Sequence, residues 1–165
     1  ELYFRDGGKI TDPLVALSLP ASIDQAAESA GVHVDPGALV DALRTRLATA
    51  PGAAWVVECA GGLLVPVDAA TDQADVLLHV VRDVVLVARS GLGTLNHTLL
   101  TVEALARRRF RLRGVVLVGE RHAANERTLG RRLAVPILSL PPLASLDATA
   151  LDAWLAANDV TELLP

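Results

Sequence analysis

Four short aliphatic runs limit most strongly what this chain can fold into: Trp55–Glu58 (WVVE), Val84–Ala88 (VVLVA), Gly114–Val118 (GVVLV) and Val135–Leu140 (VPILSL). None alternates apolar with polar residues, so each reads as a strand buried on both faces rather than one with a wet side. Helical stretches separate them. Residues 71–81 follow a cap at Thr71 or Asp72, residues 96–108 repeat Leu99, Val102, Leu105 and Ala106 at helical spacing, and residues 125–133 precede the fourth run. Buried strands alternating with helices make βα units. The expected class is therefore α/β, with a doubly wound, mostly parallel sheet and helices on both faces. Apolar residues are 52% of the chain but aromatics only 3%, so Val, Leu, Ile and Ala must build that core.

Ahead of the first run the pattern is weaker. Gly7-Gly8, Asp12-Pro13 and Pro20 break any period, which leaves loop, one short strand over Leu14–Leu19 and a short helix over Asp24–Ala30. Asp35-Pro36 is a helix start, with Asp as cap and Pro in the first turn. Leu39, Leu43 and Leu47 give that helix an apolar face, and Pro51-Gly52 ends it. Near the other end Pro141-Pro142 forces a loop. Ser145 or Asp147 then caps a last helix bearing Leu151, Trp154 and Leu155. The length of 165 residues fits a single domain, residues 1–165, without repeats.

The totals exclude several classes. A net charge of −4 offers no general attraction for nucleic acid. One cysteine rules out an internal disulfide framework, and no Cys/His spacing suits structural zinc. No apolar run reaches about 18 residues, and no secretory signal is present. The expectation is a cytoplasmic protein with neither nucleic acid nor membrane as partner. The sequence has no methionine, so Glu1 reads as an internal or processed start and the chain as N-terminally truncated.

Ligands of parallel sheets bind at the carboxyl ends of strands, and three ends here are unusual. Glu58 closes the first run, where a buried carboxylate needs a partner. A Mg²⁺ ion in phosphate chemistry would serve, and so would a nearby arginine. Gly61-Gly62 either admits a close ligand or turns the chain. Ser90-Gly91-Leu92-Gly93-Thr94 leads into a helix whose N-terminal N–H groups can hold an anion, unless it is an ordinary turn with a Thr or Asn cap. His97 reads as a surface or capping residue. The basic run from Arg107 to Arg113 lies at a helix C-terminus, where cations complement the dipole. Cys59 reads as a small buried apolar residue, since nothing adjacent would lower its pKa.

Two of these stretches, Val57-Glu58-Cys59-Ala60-Gly61-Gly62 and Gly93-Thr94-Leu95-Asn96-His97, resemble the dethiobiotin synthetase family of the P-loop NTPase superfamily. The family carries valine-glutamate-glycine-alanine-glycine-glycine and, further on, glycine-x-x-asparagine-histidine. The similarity spans about residues 14–160 and is most specific over 55–118. It implies an ATP-dependent ligase of biotin biosynthesis that closes the ureido ring of dethiobiotin from diaminopelargonic acid, CO₂ and ATP. It implies Mg²⁺ and ATP as cofactors, with Glu58 on the metal and near the γ-phosphate. Cys59, Ala60 and Gly61 would border the nucleotide through backbone, and Pro141, Pro142 and Leu143 would border the adenine. It implies that Thr94, Leu95 and Asn96 receive the substrate's distant carboxylate across a homodimer interface.

The departures from the family pattern lie mainly early in the chain. The phosphate-binding loop glycine-x-x-x-x-glycine-lysine-threonine has no match in residues 1–165. Lys9, the sole lysine, sits in Gly7-Gly8-Lys9-Ile10 without a preceding strand or a following Ser/Thr and helix. No catalytic residue of the family therefore maps onto this chain. Cys59 stands for a glycine, Val118 for an adenine-binding asparagine, and Ser22-Ile23-Asp24 for a serine-proline-histidine string. Three functions stay open: a dethiobiotin synthetase of which this is an inactive piece, a related enzyme with another acid or amine substrate, and a non-catalytic dimerisation module fused to another biotin-pathway enzyme.

Overall fold

The computed structural model describes residues 12–163, which divide into two compact units, residues 12–82 and residues 83–163. The Gly7-Gly8-Lys9-Ile10 string lies outside the described residues.

The first unit holds helices α1 (Ile23–Ala30), α2 (Pro36–Ala48) and α3 (Gln73–Leu77). Gly31, at φ 65°, ends α1 in the left-handed conformation that favours glycine. Asp35 caps α2 by accepting from the Gly37 N–H at 2.8 Å, with Pro36 in the first turn. Ala27, Val34, Val40, Val67 and Val76 form its core, and Leu39 and Leu43 of α2 pack against it. Asp72 and Asp75 form a reciprocal cap at the start of α3. The helix expected over 71–81 is shorter, and turns over residues 78–80 replace its last part. The β-branched pair Val80-Val81 is a poor helix continuation.

Two expected strands do not form. Residues 53–59 run without regular structure and join no ladder among the described residues. Trp55–Glu58 has the composition of a buried strand, but a strand exists only through its hydrogen-bonded neighbour. Val56 is 91% exposed and Glu58 is exposed, so this is not the end of a buried strand. Leu14–Leu19 is likewise irregular, and Leu17 packs on the helical core instead.

The second unit carries the βα alternation. Its elements are β1 (Asp83–Arg89), α4 (Thr94–Arg107), β2 (Arg111–Val118), α5 (Ala123–Arg132), β3 (Ile137–Leu140), α6 (Ala148–Ala157) and a 3-10 turn at Thr161–Leu163. The three strands pair in the order β1-β2-β3, all parallel, with Ala88 beside Leu117 and Val115 beside Ile137. Val115, Leu117 and Leu129 are fully buried, ringed by Leu86, Ala88, Leu95, Leu99 and Ile137. Each such side chain contributes about 1.5–3 kcal/mol. Helices α4 and α5 thus cover one sheet face. On the other, Gly114 lets the Leu163 side chain approach β2, since a Cβ there would run into Leu163 and lie 3.1 Å from the Pro136 carbonyl. The unit is a parallel α/β sheet flanked by helices, in keeping with a doubly wound, P-loop NTPase-like class. Among the described residues no helix is long and apolar enough to cross a membrane.

The basic run is divided by this fold. Arg107 ends α4 and pairs with Glu103. Arg109 turns the chain at φ 60°, and Phe110 is buried. Arg111 opens β2 and binds Asp83 of β1 through Nε at 3.0 Å and Nη2 at 2.5 Å.

Candidate functional site

In the first unit the residues after Glu58 form a tight loop held from behind. The Gln73 side chain, 8% exposed, makes three hydrogen bonds to it. Its Oε1 accepts from the Ala60 N–H at 3.0 Å, and its Nε2 donates to the carbonyls of Ala60 at 2.9 Å and Gly62 at 3.1 Å. Gly61 has φ 87°, so the turn needs a residue without a Cβ. The chain then returns through a Pro66–Asp72 bridge, with the Asp68 carboxylate capping the N–H groups of Ala70 and Thr71 at 2.8 and 2.7 Å. Those bonds hold the Asp68 carboxyl below the usual range.

Glu58 lies just before this loop, exposed and with no described ion pair, which removes the alternative of an arginine salt bridge among the described residues. Cys59 is half-buried, and burial followed by the Glu58 charge pushes its thiol up. It is therefore no activated nucleophile. Among the described residues no three His, Cys, Asp or Glu side chains gather to hold a metal. One open carboxylate beside a glycine turn suits a Mg²⁺ ion that takes its other ligands from phosphate oxygens and water.

In the second unit the parallel strands deliver three loops to one sheet edge: Ser90–Gly93 after β1, Gly119–His122 after β2 and Pro141–Leu143 after β3. They are tied together. Ser90 is buried, its N–H donates to Val118 O at 2.9 Å and its Oγ to Glu120 O at 2.5 Å. Asn125 Nδ2 donates to the carbonyls of Ser90 at 2.8 Å and Gly91 at 3.4 Å. Gly119, at φ 118°, donates its N–H to Leu140 O at 3.0 Å. Glu126 accepts from Arg121 Nη2 at 3.0 Å and from Ser139 Oγ at 2.6 Å. Arg121, then Ser139, hold its carboxyl below the usual range.

Helix α4 begins two residues earlier than the sequence pattern places it. Its cap is Gly93, at φ 88° with no side-chain cap bond, rather than a Thr or Asn. Thr94 is buried and lies 3.3 Å from Thr98, Oγ1 to Oγ1. Leu95 points into the apolar core, while Asn96 and His97 are exposed. Thr94 N–H bonds Gly91 O, but the N–H groups of Leu95 and Asn96 meet no acceptor among the described residues. Such open donors at a helix start can take an anion. Pro141 and Pro142 are exposed beyond β3, and Leu143 is half-buried.

The residues that organise both loops, Gln73, Asn125 and the Arg121–Glu126–Ser139 set, were not singled out by sequence pattern. Gln73 directly after the Asp72 cap, in a segment read as a helix over residues 71–81, was the one available signal.

Comparison with known proteins places the chain among relatives of one family. A family model described as an AAA domain matches residues 7–150. The chain is 44% identical over 147 residues to an ATP-dependent dethiobiotin synthetase BioD of Rhodopseudomonas palustris (strain BisB5), covering 86% of this chain and 64% of the relative. It is 35% identical over 144 residues to the BioD of Paramagnetospirillum magneticum, covering 87% of this chain and 67% of that protein. A biotin biosynthesis bifunctional protein BioCD of Bordetella avium matches at 42% over 116 residues, 70% of this chain and 25% of the relative. The chain thus spans a little under two thirds of the length of several relatives it matches. With a matching family model over most of its length and these identities, the chain belongs to the dethiobiotin synthetase family.

Proposed function

We propose that the protein containing these residues closes the ureido ring of dethiobiotin from diaminopelargonic acid, CO₂ and ATP. The observation that carries this reading is the open N-terminus of α4, set at the carboxyl edge of a parallel sheet beside the loop that follows β2. The relatives named ATP-dependent dethiobiotin synthetases support it.

In this reading one amine of the substrate captures CO₂ as a carbamate. ATP phosphorylates a carbamate oxygen, and the second amine attacks the carbon and expels phosphate. The protein's part is to position the groups and to neutralise charge on the transferring phosphoryl. Glu58 supplies one carboxylate to Mg²⁺, which screens the phosphate charge when bound. Cys59, Ala60 and Gly61 line the nucleotide side, and Pro141, Pro142 and Leu143 flank the base. At the start of α4, with Thr94 buried behind them, Leu95 and Asn96 turn their open backbone N–H groups to the substrate's terminal carboxylate, and a second copy of the chain closes that site. The 165-residue chain has no glycine-x-x-x-x-glycine-lysine-threonine string, so by itself it should bind ATP weakly and turn nothing over.

The test is Glu58→Gln in the protein as its gene encodes it. If the carboxylate serves the metal, turnover falls by about a hundredfold, or ~2.7 kcal/mol, while the melting temperature stays near that of the wild type. Normal turnover with reduced stability would remove Glu58 from the site.

A further inference from the structure

We infer that Gln73 is a positioning residue that decides which backbone donors of the 60–62 loop face a ligand; this rests on the proposed reading of that loop as the nucleotide side of the site. Both backbone polar groups of Ala60, one in each of the peptides that flank it, are taken by one buried side chain. Gln73 Oε1 accepts the Ala60 N–H at 3.0 Å and Nε2 returns a bond to the Ala60 carbonyl at 2.9 Å. The pair imitates one rung of a β-ladder, with a side-chain amide in place of the neighbouring strand. The second Nε2 hydrogen is used on Gly62 O at 3.1 Å, so both amide donors are satisfied.

Ala60 therefore has no N–H to offer a ligand. Its neighbours do: the N–H groups of Gly61 and Gly62 meet no acceptor among the described residues. Holding the carbonyls of Ala60 and Gly62 also turns these two oxygens toward Gln73, and the left-handed Gly61 between them completes the turn. An anionic oxygen at this loop would be met by Gly61 and Gly62 with the neighbouring carbonyl dipoles held back by Gln73. Gln73 is 8% exposed, so its amide is committed to these partners rather than to solvent. Its removal would free the Ala60–Gly61 peptide to rotate and would present the Ala60 carbonyl oxygen where the Gly61 N–H is needed.

The residue acts through backbone, so it is tested by exchange and by kinetics together. In the 165-residue chain, amide hydrogen exchange should show Ala60 protected and Gly61 and Gly62 exchanging fast. Gln73→Leu, which keeps bulk but no polar group, should speed Ala60 exchange at least tenfold while protection in α2 is retained. Gln73→Glu keeps the acceptor for the Ala60 N–H but, ionised, cannot donate to either carbonyl, so Ala60 should stay protected while the Ala60 and Gly62 carbonyls are released. In the protein as its gene encodes it, either variant should lower kcat per folded molecule about tenfold with the ATP KM changed less than about threefold, a loss of ~1.4 kcal/mol in the chemical step. Equal exchange at Ala60, Gly61 and Gly62 in the wild type would overturn the inference. So would a Gln73→Leu variant with faster Ala60 exchange but unchanged kcat, because the loop would then be held only for stability. A wild type that shows the exchange pattern but forms no dethiobiotin would refute the proposed function and leave the loop's donor assignment standing on the exchange result.

Discussion

Replacing Glu126 by Gln should reveal how firmly the loops after β2 and β3 are tied. Glu126 sits in the first turn of α5, its side chain 17% exposed, and accepts from Arg121 and from Ser139 of β3. Gln keeps the shape and removes the charge. The Arg121 side chain is 70% exposed, so that ion pair is screened and worth only about 0.2–1 kcal/mol. The Ser139 hydroxyl donates to a carboxylate well out of solvent, and a bond to a charged acceptor is stronger than one to a neutral amide by about 1 kcal/mol. Together the variant should lose about 1–2 kcal/mol near pH 7, or a melting shift of about 3–6 °C. The pH dependence fixes the cause. The folded carboxyl is held below its usual value, so its contribution is complete above the unfolded value of about 4.3 and fades as pH falls through the lower folded value. Urea unfolding of both proteins at pH 7 and in the acid range should show the difference narrowing as pH falls. A difference that stays constant with pH would place the effect in packing, and no difference at pH 7 would mean that the network does not stabilise the edge.

Other outcomes follow from the same structure. Leu117→Ala empties a fully buried position in β2 and should cost about 2–5 kcal/mol, read from the urea midpoint of the chain. Asn96→Asp puts a negative charge beside the open N–H groups of α4; in the protein as its gene encodes it, the KM for diaminopelargonate should rise about tenfold or more with the ATP KM nearly unchanged, an interaction loss of ~1.4 kcal/mol. Equal effects on both ligands would move the carboxylate site away from this helix.

The second unit was largely legible because its signals are local. Aliphatic runs such as Val84–Ala88 and Gly114–Val118, each followed by a helical period, state both the element and the parallel pairing, and all three appear in β1-β2-β3 order. Trp55–Glu58 carries the same composition but not the same fate, because pairing is a property of the neighbour and not of the run. The start of α4 was displaced because Gly93 caps through its backbone at φ 88°, which leaves no side-chain signal. The contacts that shape both loops join residues far apart in sequence: Gln73 with Ala60, Asn125 with Ser90, Glu126 with Ser139. Only the chain path brings them together, and no spacing rule could have named them.

The most direct measurement supplies the protein as its gene encodes it with diaminopelargonate, labelled bicarbonate and MgATP, and follows dethiobiotin by mass spectrometry alongside ADP. The account predicts labelled dethiobiotin formed with one ADP per ring closed, and none when diaminopelargonate, bicarbonate or ATP is left out. ATP hydrolysis without labelled product, or binding of diaminopelargonate without turnover, would contradict it.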